Sequence, residues 1–255
     1  MHSSIVPSLL WSYWANIIYI IGMIGYLTID TINYTYISFN NTLSYIIYIF
    51  LSILFVIDAV LYTIDWYIYA VKLRKSKNDS IQYRSEFFAC IFQNLGSYFY
   101  LIGALLLFDK NRLFKTILLF NFIGIIAFLI ESCLTSIGWT ITFRRKPLTN
   151  PKNGCHIQNV YIWAHMLNII GNLIYLCAII LAYNFYQTSK IMNSNNVVLI
   201  QIFGDLIYLI DAYLYLECWQ RDKIEFDVNT EQQSLNNFYL EKLHYDTDTK
   251  SNENK

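Results

Sequence analysis

The chain has 255 residues, of which 56% are hydrophobic, 18% aromatic and only 14% charged, and its 18 basic and 18 acidic residues cancel to zero net charge. Soluble domains carry about a quarter charged residues, so the composition favours a membrane protein and gives no indication of nucleic-acid binding. The five scattered cysteines include no Cys-x-x-Cys pair, which argues against a disulfide framework or a zinc site.

Six apolar stretches are long enough to cross a bilayer as helices. About 20 apolar residues at ~1.5 Å each span a hydrocarbon core of ~30 Å. One large buried core in a soluble protein is the alternative, but no Lys or Arg lies in the interior of any stretch. In chain order the predicted spans are Leu9–Ile29, Leu43–Val71, Phe87–Phe108, Leu113–Phe143, Ile157–Tyr186 and Val197–Trp219.

The basic residues predict the orientation of these spans. Five lie between spans two and three and four between spans four and five, whereas three between spans three and four point the other way. By the positive-inside rule both termini face the cytoplasm. The tryptophans agree, because with this orientation they all lie at the cytoplasmic interface: Trp11, Trp14, Trp66, Trp139, Trp163 and Trp219. Residues 1–220 thus form a transmembrane domain, and the polar residues 221–255 predict a mobile cytoplasmic tail.

A carboxylic acid recurs in the even spans and an asparagine in the odd spans. Each acid is followed eight residues later by a tryptophan, and the acids recur at intervals of 73 and 80 residues. The asparagines recur at intervals of 78 and 74 residues. These two patterns predict an internal repeat of about 75 residues, each unit a helical hairpin. The recurring residues are Asp58, Glu131 and Asp211 in the even spans and Asn16, Asn94 and Asn168 in the odd spans.

The predicted fold is all-α: a polytopic membrane protein whose six transmembrane helices form three tandem parallel hairpins. The repeats cover approximately residues 9–71, 86–143 and 157–219. Units with two spans each enter the membrane from the same side, so they are related by rotation about the membrane normal. We expect a six-helix bundle with a pseudo-threefold arrangement, and a linear row of hairpins is the alternative.

The recurring acids allow two interpretations. Eight residues place each acid about 12 Å from its tryptophan, near the middle of the bilayer, where an ionisable group needs a partner. In the first interpretation the acid is an interhelical clamp, bonded to the asparagine of its hairpin and to hydroxyls four residues further on (Tyr62, Thr135, Tyr215). In the second, the three acids line a cation or proton path. The acids in the predicted spans, which have no basic partner there, are Asp58, Asp65, Glu131, Asp205, Asp211 and Glu217.

One hairpin resembles a known family. The string Asn94-Leu95-Gly96-Ser97-Tyr98-Phe99-Tyr100-Leu101-Ile102-Gly103 is similar to the first helix of the YrhK-like membrane domain, and Phe122-Ile123-Gly124-Ile125-Ile126-Ala127-Phe128-Leu129-Ile130 is similar to its second helix. The chain departs from that domain with the acid Glu131 after Ile130. The resemblance implies a helical hairpin fold and supplies no site residues.

We therefore expect a non-enzymatic membrane protein without a cofactor or metal. The preferred interpretation is a structural or interaction protein with acid–asparagine clamps, and the alternative is a channel or transporter for cations or protons. Its expected partners are the lipid bilayer and either other membrane proteins or a second copy of the chain, with no nucleic acid. The candidate site comprises Asp58, Glu131, Asp211, Asn16, Asn94 and Asn168.

Overall fold

A computed structural model describes residues 7–35, 41–73, 80–108, 114–145, 151–188 and 195–221, with side chains for 10–35, 41–68, 84–108, 114–140, 160–185 and 195–221. Apart from a turn at residues 107–108, these residues are helical. The helices are α1 Pro7–Thr35, α2 Asn41–Leu73, α3 Ser80–Leu106, α4 Phe114–Arg145, α5 Pro151–Thr188 and α6 Asn195–Arg221. Two of them begin at a proline, which suits the first helical turn because its missing N–H would have no partner there.

Each of the six helices contains a segment apolar and long enough to cross a membrane, which confirms the predicted class of multi-pass α-helical membrane protein. The predicted bounds differ mainly in the first span, which was placed at Leu9–Ile29 but continues to Thr35 and so includes Asp30. The helix continues because the hydroxyls of Thr31 and Thr35 bond to carbonyls four residues earlier, which satisfies them within the helix.

The chain divides into two compact units, Met1–Leu216 and Glu217–Lys255. Only the last turn of α6 is described in the second unit. There Arg221 donates to Glu217 at 2.9 Å. The expectation that the acids in the spans have no basic partner is therefore wrong for Glu217, because Arg221 lies one helical turn away on the same face. The predicted tail falls outside the described residues and stays a prediction.

Successive helices of the first unit pack antiparallel against each other. The pairs α1–α2, α2–α3, α3–α4 and α4–α5 are all in contact, and Asn168 of α5 donates to the hydroxyl of Tyr215 of α6 at 3.3 Å. The hydroxyl of Tyr19 of α1 lies 3.5 Å from Oδ2 of Asp211 of α6. The contacts therefore form a closed cycle through the six helices. The tandem hairpins and their pseudo-threefold arrangement stay predictions.

Buried residues recur at intervals of seven along the helices. On α1 the buried residues include Asn16, Met23 and Asp30, and on α5 they include His165 and Asn172. A seven-residue period is slightly shorter than two turns of a straight α-helix, so helices that follow it wind around each other with a left-handed supercoil. One face of each helix thus stays directed to the bundle interior.

The interior of the bundle is more polar than its surface. Buried positions hold small or polar residues such as Ser52, Ser97 and Asn172, whereas large apolar residues such as Phe50 (59% exposed) and Ile210 (53%) face outward. Soluble proteins bury most of their large apolar side chains. The reversed distribution fits a surface in contact with lipid, with association driven by close packing and interhelical hydrogen bonds.

Glycines of the odd helices face the aromatic residue three positions before each recurring acid. A Cβ on Gly96 would lie 2.9 Å from the ring of Phe128, and one on Gly171 would lie 2.9 Å from the ring of Tyr208. In the first helix pair Gly22 faces Phe55 at a looser 3.6 Å. These equivalent contacts, whose glycines are 74 and 75 residues apart, support the predicted repeat.

The asparagines do not follow the same spacing as these glycines. Asn16 precedes its glycine by six residues, Asn94 by two and Asn168 by three. Asn16 is buried, whereas Asn94 and Asn168 are half-buried. The three amides therefore do not occupy equivalent places on their helices, and the asparagine interval of 78 residues differs from the glycine interval because of this shift along the helix.

A second set of contacts places a small residue against a large one, seven residues before each acid. Gly124 faces the ring of Tyr100, and Gly204 faces the ring of Tyr175, each within 3 Å of where a Cβ would lie. In the first helix pair the sizes are exchanged, because Leu51 packs against Gly25. Each contact thus keeps one small and one large residue.

Substitution of these glycines by alanine tests whether close packing holds the bundle together. We expect Gly124→Ala to lower stability by about 1–3 kcal/mol, since its Cβ would lie 2.7 Å from the ring of Tyr100 and 3.2 Å from the carbonyl oxygen of Gly96. The matched control is Gly22→Ala, whose Cβ would find ordinary contact distances. Thermal unfolding in lipid nanodiscs measures both, and equal melting temperatures for the two variants would contradict this packing.

Candidate functional site in the bundle interior

The three recurring acids meet inside the bundle. We call Asp58 of α2, Glu131 of α4 and Asp211 of α6 the acid triad. Asp58 and Asp211 are 4% and 0% exposed, and Glu131 is half-buried. Glu131 is close enough to interact electrostatically with both aspartates. The even helices therefore bring their carboxyl groups together rather than into three separate seams.

The acid triad has more acceptor atoms than donors around it. Glu131 accepts from the hydroxyls of Thr135 at 2.9 Å and Ser132 at 3.2 Å, and Asp211 accepts a long bond from Tyr19. Oδ1 of Asp58 and Oδ1 of Asp211 are both buried with no hydrogen-bond donor among the described residues. Thr135 lies where the sequence placed a hydroxyl donor, and the two aspartates each keep an unsatisfied oxygen.

The asparagines bond to hydroxyls instead of to the acids. Asn16 Oδ1 accepts from the hydroxyl of Tyr62 at 2.7 Å, and Asn94 Nδ2 donates to the hydroxyl of Thr63 at 2.7 Å. Asn168 Oδ1 accepts from the hydroxyl of Ser132 at 3.0 Å. The predicted acid–asparagine bonds are not among the hydrogen bonds of the described residues. Hydroxyls within about one helical turn of each acid reach the amides in their place.

Asn172 of α5 joins three helices, although the sequence did not single it out. Its side chain is fully buried. Its Nδ2 donates to the hydroxyl of Ser132 of α4 at 2.8 Å, and its Oδ1 accepts from the hydroxyl of Tyr208 of α6 at 2.6 Å. The available sequence signal was its place next to Gly171, on the packing face of α5.

Removal of the Asn172 amide should destabilise the bundle. We expect Asn172→Ala to lower stability by about 1–2 kcal/mol, because the buried hydroxyls of Ser132 and Tyr208 each lose a partner. The exposed Asn196 provides the control variant Asn196→Ala, for which little change is expected. Thermal unfolding in nanodiscs compares them, and a loss of the same size in both would show that the Asn172 contacts contribute nothing specific.

Tyrosines surround the acid triad. Tyr62 interacts electrostatically with all three acids, and Tyr19 does so with Asp58 and Asp211. Tyr215 interacts with Asp211 and Glu131, as does Tyr208. A phenolic hydroxyl can donate one hydrogen bond and accept others. The shell therefore provides groups that can relay hydrogen bonds from one acid to the next.

Ionisable groups continue from the triad toward the end of the bundle where α1 begins. Asp65 lies seven residues beyond Asp58 on α2 and bonds to Ser12. The ring of His165 packs 5.6 Å from that of Trp139, and its Nδ1 lies 3.3 Å from the hydroxyl of Tyr215. Nε2 of His165 and Oδ1 of Asp65 are buried without a hydrogen-bond partner among the described residues.

A second pair of acids lies on the other side of the triad. Asp30 of α1 and Asp205 of α6 have their carboxyl groups within hydrogen-bonding distance of each other. The hydroxyl of Tyr48 donates to Asp30, and that of Tyr175 donates to Asp205. The sequence placed Asp205 within a span, but it missed Asp30 because the first apolar stretch was taken to end at Ile29.

These groups form a polar column over much of the membrane thickness. Asp65 lies seven residues from Asp58, and Asp205 six residues from Asp211. At ~1.5 Å per residue, the column from Asp65 to the Asp30–Asp205 pair extends roughly 20 Å, about two thirds of a ~30 Å hydrocarbon core. Buried ionisable groups in a membrane usually mark an ion or proton pathway.

Comparison with known proteins found no matching family model, no matching curated protein and no matching solved structure. The similarity to the YrhK-like membrane domain therefore stays a prediction.

Proposed function

We propose that this multi-pass membrane protein transfers protons across its membrane through the acid triad. The observation that carries the proposal is the pair of buried oxygens, Asp58 Oδ1 and Asp211 Oδ1, that have no donor among the described residues. Buried polar atoms are normally paired, and an unpaired one is costly in a low-dielectric interior. A proton bound to each carboxyl group supplies the missing donor.

The charges of the triad support the same proposal. Asp58 and Asp211 both interact with Glu131, and the described side chains of the interior include no Lys or Arg. Three ionised carboxylates this close would repel one another, so protons or a cation must neutralise part of their charge. Neighbouring acids of this kind bind and release protons as a group.

A proton fits the site better than a metal cation does. Transporters that bind cations within the membrane commonly use carbonyl oxygens freed where a helix is unwound. Here the helices are continuous past Asp58, Glu131 and Asp211, so their backbone carbonyls are engaged in helical hydrogen bonds. The tyrosine hydroxyls around the acids offer a chain of donors and acceptors for a proton.

A structural or interaction role is the second candidate, and the amide contacts favour it. Asn16, Asn94 and Asn172 each bond across a helix interface. These bonds explain how the helices keep their register. They do not supply donors to the acids, so amides and acids have separate roles in our proposal.

Proton flux into liposomes tests the proposal. With a pH-sensitive dye trapped inside, we expect Asp211→Asn and Glu131→Gln to reduce flux about ten-fold or more, since each keeps the size and hydrogen bonding of the acid but cannot ionise. The control is Glu217→Gln, because Glu217 has its own partner in Arg221, and it should leave flux unchanged.

Two results would overturn proton transfer through the triad. One is wild-type protein that carries no proton flux under either a pH gradient or a membrane potential. The other is flux that persists unchanged in both triad variants. Melting temperatures of the variants close to that of the wild type would ensure that a loss of flux reports on the acids and not on unfolding.

A further inference from the structure

We propose that Asp30 and Asp205 form a second proton-binding site, separate from the acid triad, in which one proton is shared between two carboxyl groups. Asp30 was not recognised from the sequence, and Asp205 was recognised only as an acid within a span. The pair joins α1 to α6, the first helix of the chain to the last.

Both carboxyl groups are enclosed, and one of their oxygens lacks a donor. Asp30 and Asp205 are 3% and 0% exposed. Tyr48 donates to Oδ1 of Asp30, and Tyr175 donates to Oδ1 of Asp205. Oδ2 of Asp205 is buried without a hydrogen-bond partner among the described residues.

The chemistry of two facing carboxyl groups requires a proton. An ionised carboxylate only accepts hydrogen bonds, yet these two groups lie within hydrogen-bonding distance of each other. If one of them is protonated, its O–H donates to the other carboxylate in a strong charge-assisted bond. The pair then binds one proton and carries one negative charge in place of two.

The surroundings favour a proton over a metal ion. The tyrosines already donate to one oxygen of each carboxyl group, which leaves too few oxygens for Na⁺, Mg²⁺ or Ca²⁺, since Mg²⁺ and Ca²⁺ bind six or more. The described titratable side chains that face the pair from the neighbouring helices are neutral hydroxyls: Tyr26, Tyr48, Tyr100, Tyr175 and Tyr208.

The site has a place on the proposed path, and this step rests on the proposed function. Tyr208 interacts electrostatically with Asp205 and also with Asp211 and Glu131 of the triad. A proton held by the pair would therefore lie one tyrosine away from the triad. The binding of the shared proton itself does not depend on whether protons cross the membrane.

Infrared spectroscopy of the full chain in nanodiscs tests the site without any proton gradient. A protonated carboxyl group absorbs at a frequency distinct from that of a carboxylate. We expect Asp30→Asn and Asp205→Asn each to remove the same single protonated-carboxyl band. In either variant the amide N–H donates to the remaining carboxylate, so no proton is needed. The double variant should lose no further band, and Glu217→Gln should keep the band.

Tyr175→Phe gives a second measurement if either asparagine variant fails to fold. It keeps the ring that packs on Gly204 but removes the hydroxyl, so we expect the band to shift in frequency and to remain. Loss of no band in the Asp variants, or loss of two different bands, would overturn the shared proton. So would carboxylate bands that respond to added Na⁺ or Ca²⁺ in the wild type but not in Asp205→Asn. Failure of the liposome flux alone would leave this site standing.

Discussion

Carboxyl groups in a membrane interior without basic side chains have to find hydroxyls, amides or protons as partners, and this requirement organises the bundle. Oxygens of Asp30, Glu131 and Asp205 accept hydroxyl hydrogen bonds from tyrosine, threonine or serine. The many tyrosines of the chain thereby acquire a physical role, because a phenol can lie between apolar helices and still offer a donor at its tip. Apolar bulk faces lipid, and hydroxyls face the acids.

Close packing allows these polar contacts to form. The glycines let an aromatic ring from the neighbouring helix approach the backbone, as Gly96 does for Phe128 and Gly171 does for Tyr208. Because the buried positions recur every seven residues, the same face of each helix remains inside along its length. The polar column and the packing face are thus the same surface, so changes in one affect the other.

The sequence was sufficient for the six helices and for the acids, and insufficient for the polar contacts. Long apolar stretches predict membrane helices because lipid leaves few other solutions, and the recurrence of Asp58, Glu131 and Asp211 marked one face of the even helices. Asp30 was missed because hydropathy falls before the helix ends. Asn172 and the hydroxyl partners of the asparagines depend on how far side chains reach between helices, which spacing along one helix does not determine.

Tyr175 combines two tasks in one side chain. Its ring fills the hollow beside Gly204, and its hydroxyl holds Asp205 on the same helix. Any rearrangement that releases the acid from this phenol would also withdraw the ring and leave a void at the interface of α5 and α6. Electrical state and steric fit are mechanically linked at this point, so the charge on one aspartate can set how tightly two helices close.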